Sequence, residues 1–114
     1  MHELSIALSL IDAAEEEAAR RGDARVTALH VRIGPLSGVV PNALLSAYGL
    51  ACEGSSLDGS KLIIEEVQIV IHCAKCGGDH SAVSPQMLCC VVCGAPAADV
   101  IQGRELELTA MEIQ

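Results

Sequence analysis

Aromatic residues are nearly absent from this sequence. Phe and Trp do not occur, and Tyr48 is the only tyrosine among 114 residues. The core must therefore be built from aliphatic side chains, each large one contributing roughly 1.5–3 kcal/mol when buried. A chain of this length is expected to fold as one domain, or as one domain with a small appendage.

Basic residues and long apolar runs are also scarce. Seven Lys and Arg stand against fifteen Asp and Glu, which gives a formal charge of −8. A surface with this balance repels phosphate, so nucleic acid is not an expected partner. No apolar run reaches the roughly 18 residues of a membrane span, and the N-terminus lacks the basic segment of a signal peptide. We expect a soluble cytoplasmic protein that is not bound to a membrane.

The sequence does contain a clear order of helix and strand patterns. Apolar residues three and four positions apart predict one helix over Leu4–Arg21, and Pro41 is well placed to begin a second helix that runs to about Glu53. Alternating or β-branched runs predict three strands, at Val26–Ile33, Lys61–His72 and Arg104–Ile113. The predicted fold is α+β, with two helices packed on a small three-stranded sheet.

The helix patterns also predict which side chains face the core and which form ion pairs. On the first helix the inward residues are Leu4, Ala7, Leu8, Ile11, Ala14 and Ala18. On the second helix they are Leu44, Leu45, Tyr48 and Ala51. On the exposed side of the first helix, two ion pairs are predicted between residues four positions apart, Glu16–Arg20 and Glu17–Arg21.

Four of the six cysteines lie in two C-x-x-C pairs. Cys73-Ala-Lys-Cys76 and Cys90-Val-Val-Cys93 are separated by thirteen residues. A two-residue gap lets a tight turn aim both sulfurs at one point, so the pairs predict a closed four-thiolate site of the kind that holds structural zinc. A rubredoxin-like iron centre would use the same ligands and remains an alternative. Cys89 could replace Cys90 by a one-residue slip, but Cys90 keeps the two-residue gap.

The segment that carries these cysteines is rich in Gly, Pro and small residues. We therefore predict a zinc-ribbon-like module at residues 72–96, inserted between the second and third strands of a discontinuous domain formed by residues 1–71 and 97–114. His72 and His80 flank the module, where simple solvation or a pH-dependent role is open to them. Cys52, near a helix end, is interpreted as a small packed residue.

The first three residues offer several nitrogen ligands at the chain start. His2 can chelate through its imidazole and its own backbone nitrogen, the Met1 amine adds a neighbouring nitrogen, and the Glu3 amide can supply a fourth after losing its proton. Four nitrogens in a plane suit Ni(II) or Cu(II) and do not suit zinc. Met1 is expected to remain in place, because removal of the first methionine generally requires a small second residue.

The order and spacing of these motifs resemble the hydrogenase-maturation nickel metallochaperones, the HypA/HybF family, over nearly the whole chain. The matching segments are MHELSIALSLI, HVRIGPLSGVVPNAL, LIIEEVQIVIHCAKC and CVVCG. The resemblance implies nickel binding at the N-terminus through His2 and a separate structural zinc held by the four cysteines. It also implies delivery of nickel to the large subunit of nickel-iron hydrogenase with the help of a GTPase, urease accessory proteins as further candidate partners, and a monomer or homodimer.

Two positions depart from the family pattern. The family often has an acidic residue near Pro41 and Asn42 that some members use as a further nickel ligand, whereas residues 39–42 contain no carboxylate here. Val91 stands where Pro commonly follows the first cysteine of the second pair. The main alternative function is a zinc-ribbon interaction module without a labile metal. An enzyme is not predicted, because no nucleophile with a matched base, phosphate loop or open zinc triad is visible.

Overall fold

The structure, a computed structural model, describes residues 2–114. Its helices are α1 (His2–Arg20) and α2 (Pro41–Cys52), with a single 3-10 turn at Pro35–Ser37. Its strands are β1 (Val26–Ile33), β2 (Lys61–Glu66), β3 (Val70–Cys73), β4 (Gly78–Ser84), β5 (Met87–Cys90), β6 (Asp99–Gln102) and β7 (Leu106–Ile113). No helix among the described residues is long and apolar enough to cross a membrane.

The described residues form two compact units. The first comprises residues 2–32, 39–65 and 107–114, and the second comprises residues 33–38 and 66–106. The predicted inserted module, residues 72–96, lies within the second unit, which also takes in segments before and after it.

The first unit holds α1, α2 and a three-stranded sheet in the order β2-β1-β7. The central strand β1 has the predicted bounds, and its alternation is visible in the burial of its side chains. Leu29 and Val31 are buried, whereas His30 and Arg32 are half-buried on the other face. The predicted α+β fold with two helices and a three-stranded sheet is confirmed.

Helix α1 buries a narrow face made of small side chains. Its buried residues are Ala7, Ile11, Ala14 and Ala18, at the spacing of a single helical stripe. Leu4 and Leu8, predicted to face inward, are 39% and 48% exposed, so the buried stripe is narrower than the apolar pattern.

The ion pairs of α1 centre on Glu17. Its carboxylate accepts hydrogen bonds from Arg21 at 3.0 Å and from Arg20 at 2.9 Å. The Glu17–Arg21 prediction is confirmed, but the Glu16–Arg20 prediction is wrong. Arg20 instead bonds Glu17, three residues away, because positions three and four apart are both neighbours on a helix.

Helix α2 begins at Pro41 as predicted and ends at Cys52. Leu44, Tyr48 and Cys52 are its buried residues, which confirms Cys52 as a packed side chain. Leu45, predicted to face inward, is 43% exposed, because the buried stripe follows a spacing of four residues and leaves its neighbour outside. Past the helix end, Gly54 adopts a φ of +75°, which favours glycine.

The predicted long strand at Lys61–His72 is wrong as a single element. The structure divides it into β2 and β3, which belong to two different sheets. Between them Val67 donates its N–H to the Ile33 carbonyl at 3.0 Å, and Ile69 is buried. Both halves are rich in β-branched residues, so strand propensity could not reveal that the chain changes sheets at residues 67–69.

The second unit is built on a four-stranded sheet in the order β5-β4-β3-β6. Strand β3 pairs antiparallel with β4 from Val70 opposite Ser81 to Cys73 opposite Gly78. The buried cluster of this unit consists of Ile69, Ile71, Cys73 and Cys90. Two of its four members are therefore cysteines, so the small core of this unit is continuous with the sulfur group.

Candidate metal centres

The two C-x-x-C pairs converge at one end of the four-stranded sheet. The sulfur atoms of Cys73, Cys76, Cys90 and Cys93 all lie within 4.8 Å of one another. The Cys73 and Cys93 sulfurs are 3.5 Å apart, and those of Cys76 and Cys90 are 3.9 Å apart. The structure therefore brings together the four cysteines that the C-x-x-C spacing predicts as one metal site.

Each pair is placed by a turn of the same construction. Gly77 donates its N–H to the Cys73 carbonyl at 2.8 Å, and Gly94 donates to the Cys90 carbonyl at 2.8 Å. Both glycines have positive φ, +74° and +76°, which a side chain would strain. In the first turn the Cys76 N–H also points at the Cys73 sulfur, at 3.4 Å. These turns explain why a glycine follows the second cysteine of each pair.

The four thiols are suited to a cation. Cys73 and Cys90 are buried, while Cys93 is half-buried and Cys76 is exposed. Hydrogen bonding with the Cys93 thiol, together with burial and the other two cysteines, raises the pKa of Cys76 to about 12. Sulfurs this close resist joint ionisation on their own, whereas a bound divalent cation favours the thiolates. Four sulfur donors suit zinc or iron, and no histidine of the described residues joins the group.

The other cysteine and the two histidines of the second unit lie outside the sulfur group. Cys89 is half-buried and forms an isolated backbone bridge with Pro96, so the structure brings Cys90 into the group and leaves Cys89 out. His72 places Nδ1 2.9 Å from the Asp79 carboxylate, and His80 is half-buried.

At the chain start, Met1 lies outside the described residues. His2 is the first residue of α1, and 58% of its side chain is exposed. The Glu3 carboxylate lies 3.4 Å from His2 Nε2 and accepts the Val40 N–H at 3.4 Å. The Val40 N–H is the largest cause that holds the pKa of Glu3 below its ordinary value of 4.5. Val40 is the N-cap of α2, so a carboxylate from α1 sits where a helix N-terminus attracts negative charge.

The contact between Glu3 and Val40 was not predicted. It joins residues 37 positions apart through a backbone N–H, and no side-chain pattern in the sequence marks such a donor. The only available signal was the lack of a polar N-cap residue before Pro41, which leaves the first amides of α2 open to a group from elsewhere in the chain.

Comparison with known proteins decides the family. The family described as "Hydrogenase/urease nickel incorporation, metallochaperone, hypA" matches residues 1–113. The chain belongs to this HypA family. The family consists of metallochaperones, which confirms the expectation that the protein is not an enzyme.

Relatives and solved structures agree with this assignment over the full length. The protein named hydrogenase maturation factor HypA from Chloroflexus aurantiacus is 44% identical over 112 residues, covering 98% of both chains. Its counterpart from a Roseiflexus species is 45% identical and covers 100% of this chain and 93% of its own. The solution structure of the Ni metallochaperone HypA from Helicobacter pylori is 25% identical with a TM-score of 0.64, covering 97% of this chain and 96% of its own. A second HypA solution structure, also 25% identical, covers 100% and 97% with a TM-score of 0.73.

Proposed function

We propose that this protein binds Ni(II) at its N-terminus and delivers it during maturation of nickel-iron hydrogenase. The observation that carries the proposal is the match to a nickel-incorporation family over residues 1–113, which includes the terminal Met-His-Glu. The relatives at 44–45% identity are named as hydrogenase maturation factors. Delivery takes place in the cytoplasm and involves the hydrogenase large subunit and a nickel-insertion GTPase, and urease accessory proteins are further candidate partners.

The nickel ligands in this proposal are the Met1 amine, the His2 imidazole and backbone nitrogen, and the Glu3 backbone nitrogen. The exposure of His2 supports it, because an exposed ligand can pass its metal to another protein by ligand exchange. The position of His2 at the start of α1 also supports it. The first amides of a helix make no intrahelical hydrogen bond, so metal binding there does not break one.

The second site in the proposal is a structural zinc held by Cys73, Cys76, Cys90 and Cys93. The donor set fits, because four sulfurs leave no position open for a substrate. When bound, zinc would neutralise the thiolates and contribute folding free energy to the second unit. Iron would accept the same donors, and metal analysis distinguishes the two metals.

The test is a nickel titration of untagged protein with metal analysis of the same samples. The parent is expected to bind one Ni(II) beyond its zinc. His2→Ala and protein with an acetylated Met1 amine are both expected to lose this nickel and keep their zinc, since the first lacks the imidazole nitrogen of the chelate and the second has its terminal nitrogen blocked. His30→Gln is the matched control, because His30 lies on β1 and belongs to neither proposed site.

Two outcomes would contradict the proposal. Nickel binding by His2→Ala and by the acetylated protein that equals the parent would leave a zinc-ribbon interaction module as the better account. Nickel bound at the terminus but not transferred to the apo large subunit in the presence of the GTPase and GTP would refute delivery alone. Transfer to urease components under the same conditions, without transfer to hydrogenase, would redirect the destination.

A further inference from the structure

Strand β7 forms an outer edge of the three-stranded sheet. It is the last strand in the order β2-β1-β7, and β1 occupies its inner side. The inner side is fixed by contacts in antiparallel order: the Gln114 N–H donates to the Arg25 carbonyl, and the Thr109 hydroxyl donates to the His30 carbonyl. Within residues 2–114, no strand pairs with the outer side, so alternate N–H and C=O groups of β7 face outward.

This edge lacks most of the features that keep exposed strands from pairing. Proteins usually protect such edges by keeping the strand short, by placing lysine or proline in it, or by covering it with a helix or loop. Strand β7 is eight residues long, contains no lysine or proline, and exposes every side chain except the half-buried Met111. Leu106, Leu108 and Ile113 are among its exposed side chains.

A groove runs beside this edge, between β7 and the last turns of α1. It has a volume of about 390 Å³. Its lining residues are Glu17, Arg21, Leu108, Thr109, Ala110, Met111 and Ile113. On the helix side of the groove, Arg21 donates a hydrogen bond to the Glu17 carboxylate. On the strand side, the lining side chains are mostly apolar.

The charges of β7 indicate which strand fits the edge. Glu107 and Glu112 are its only charged residues. Glu112 lies 2.6 Å from His30 Nε2, and Glu107 has no cation within ion-pair distance among residues 2–114. A second copy of this chain is a poor match, because two chains that each carry a formal charge of −8 repel each other.

We propose that the outer edge of β7 binds an extended segment of another protein, with apolar side chains opposite Leu108 and Met111 and basic side chains opposite Glu107 and Glu112. The segment adds a fourth strand to the sheet by main-chain hydrogen bonds, and its side chains give the specificity. This site shares no residue with the two proposed metal centres, so it stands or falls separately from nickel binding.

The test uses three capped, fluorescently labelled peptides and the full untagged chain. The peptide VKVTTVKV, read antiparallel to residues 113 to 106, places lysine opposite both glutamates. VEVTTVEV is its acidic counterpart, and a third peptide carries VKVTTVKV with alternate amides methylated on the side that meets β7. The basic peptide is expected to bind about tenfold more tightly than the acidic one, and the methylated peptide is expected to lose most binding. Amide resonances of residues 106–113, Glu17 and Arg21 should shift on binding.

Glu107→Lys should remove most of the preference for the basic peptide. The matched control is Glu16→Lys, which makes the same charge change at an exposed position of α1 outside the groove. Equal effects of the two variants would show a general attraction to an acidic protein and overturn the proposal. Unchanged binding of the methylated peptide, or shifts confined to residues outside β7 and its groove, would also overturn it. A dimer in sedimentation that excludes the peptides would assign the edge to a second copy instead.

Discussion

Replacing Gly34 with alanine tests a close backbone crossing in the second unit. Gly34 donates its N–H to the Glu105 carbonyl at 2.9 Å, and two residues later Leu36 donates to the Gly103 carbonyl at 2.7 Å. A Cβ at residue 34 would overlap the Gly103 carbonyl group and would meet Glu105 Oε1 at 2.8 Å. Two of the three obstructing atoms belong to the backbone, so a rotamer change cannot relieve the overlap.

The expected loss combines steric strain with weakened hydrogen bonds. An added methyl group in a packed site costs about 1–3 kcal/mol. Pushing the two backbone segments apart weakens two hydrogen bonds, each worth about 0.5–1.5 kcal/mol. Gly34→Ala should therefore lower the free energy of unfolding by about 2–6 kcal/mol, a large fraction of the 5–15 kcal/mol typical of a domain.

The measurement is urea unfolding at one fixed zinc concentration for all variants, since a metal that binds the folded state would itself shift the midpoint. Gly49→Ala is the matched control, because Gly49 lies in the exposed part of α2 with no atom within 4 Å of an added Cβ. This control should stabilise the protein by about 0.5–1 kcal/mol, the helix preference of alanine over glycine. A Gly34→Ala protein as stable as the parent would refute the inference that this crossing excludes a side chain.

Three further predictions follow from single contacts. Cys76→Ser should release most of the bound zinc and loosen β3, β4 and β5, as measured by metal analysis and amide hydrogen exchange, and full zinc retention would contradict the four-sulfur site. Tyr48→Phe removes a 2.6 Å hydrogen bond to Ser60 from a buried ring, so unfolding should require about 0.5–1.5 kcal/mol less free energy. Hydrogen bonds from Arg20 and Arg21 lower the pKa of Glu17 in the folded protein below its ordinary value of 4.5. The stability that Glu17 contributes is therefore present above pH 4.5, and it is lost as the pH falls through the lowered pKa of the folded state. When helix content is measured by circular dichroism as the pH is lowered below 4.5, Glu17→Gln should lose less helix content than the parent over the same pH range.

Much of the fold follows from local sequence patterns. Strand β1 and the start of α2 were predicted at their observed residues, since alternation and a leading proline are strong local signals. The cysteine group was predictable for a similar reason, because two short turns bring each pair of sulfurs together before any long-range packing is considered. The metal assigned to that group and the nickel ligands at Met1, His2 and Glu3 stay predictions.

Features that depend on long-range packing were not predictable from one sequence. The apolar run over residues 61–72 reads as a continuous strand, and only the hydrogen bond from Val67 to Ile33 shows where the chain leaves the first sheet. The exposure of Leu4, Leu8 and Leu45 likewise depends on how narrow the helix contact is. Periodicity gives the direction of an apolar face, but it does not give its width.

The chain start shows most clearly why distant backbone groups matter for the candidate site. Residue 40 is valine, so this position supplies no carboxylate for a metal. The Glu3 carboxylate instead approaches residue 40 and accepts its N–H, which ties the first turn of α1 to the start of α2. A carboxylate engaged by a helix N-terminus is a weaker candidate ligand than a free one, and this supports the nitrogen-only donor set proposed for nickel. Because that set uses the Glu3 backbone nitrogen, Glu3→Gln should retain terminal nickel binding, whereas His2→Ala should lose it.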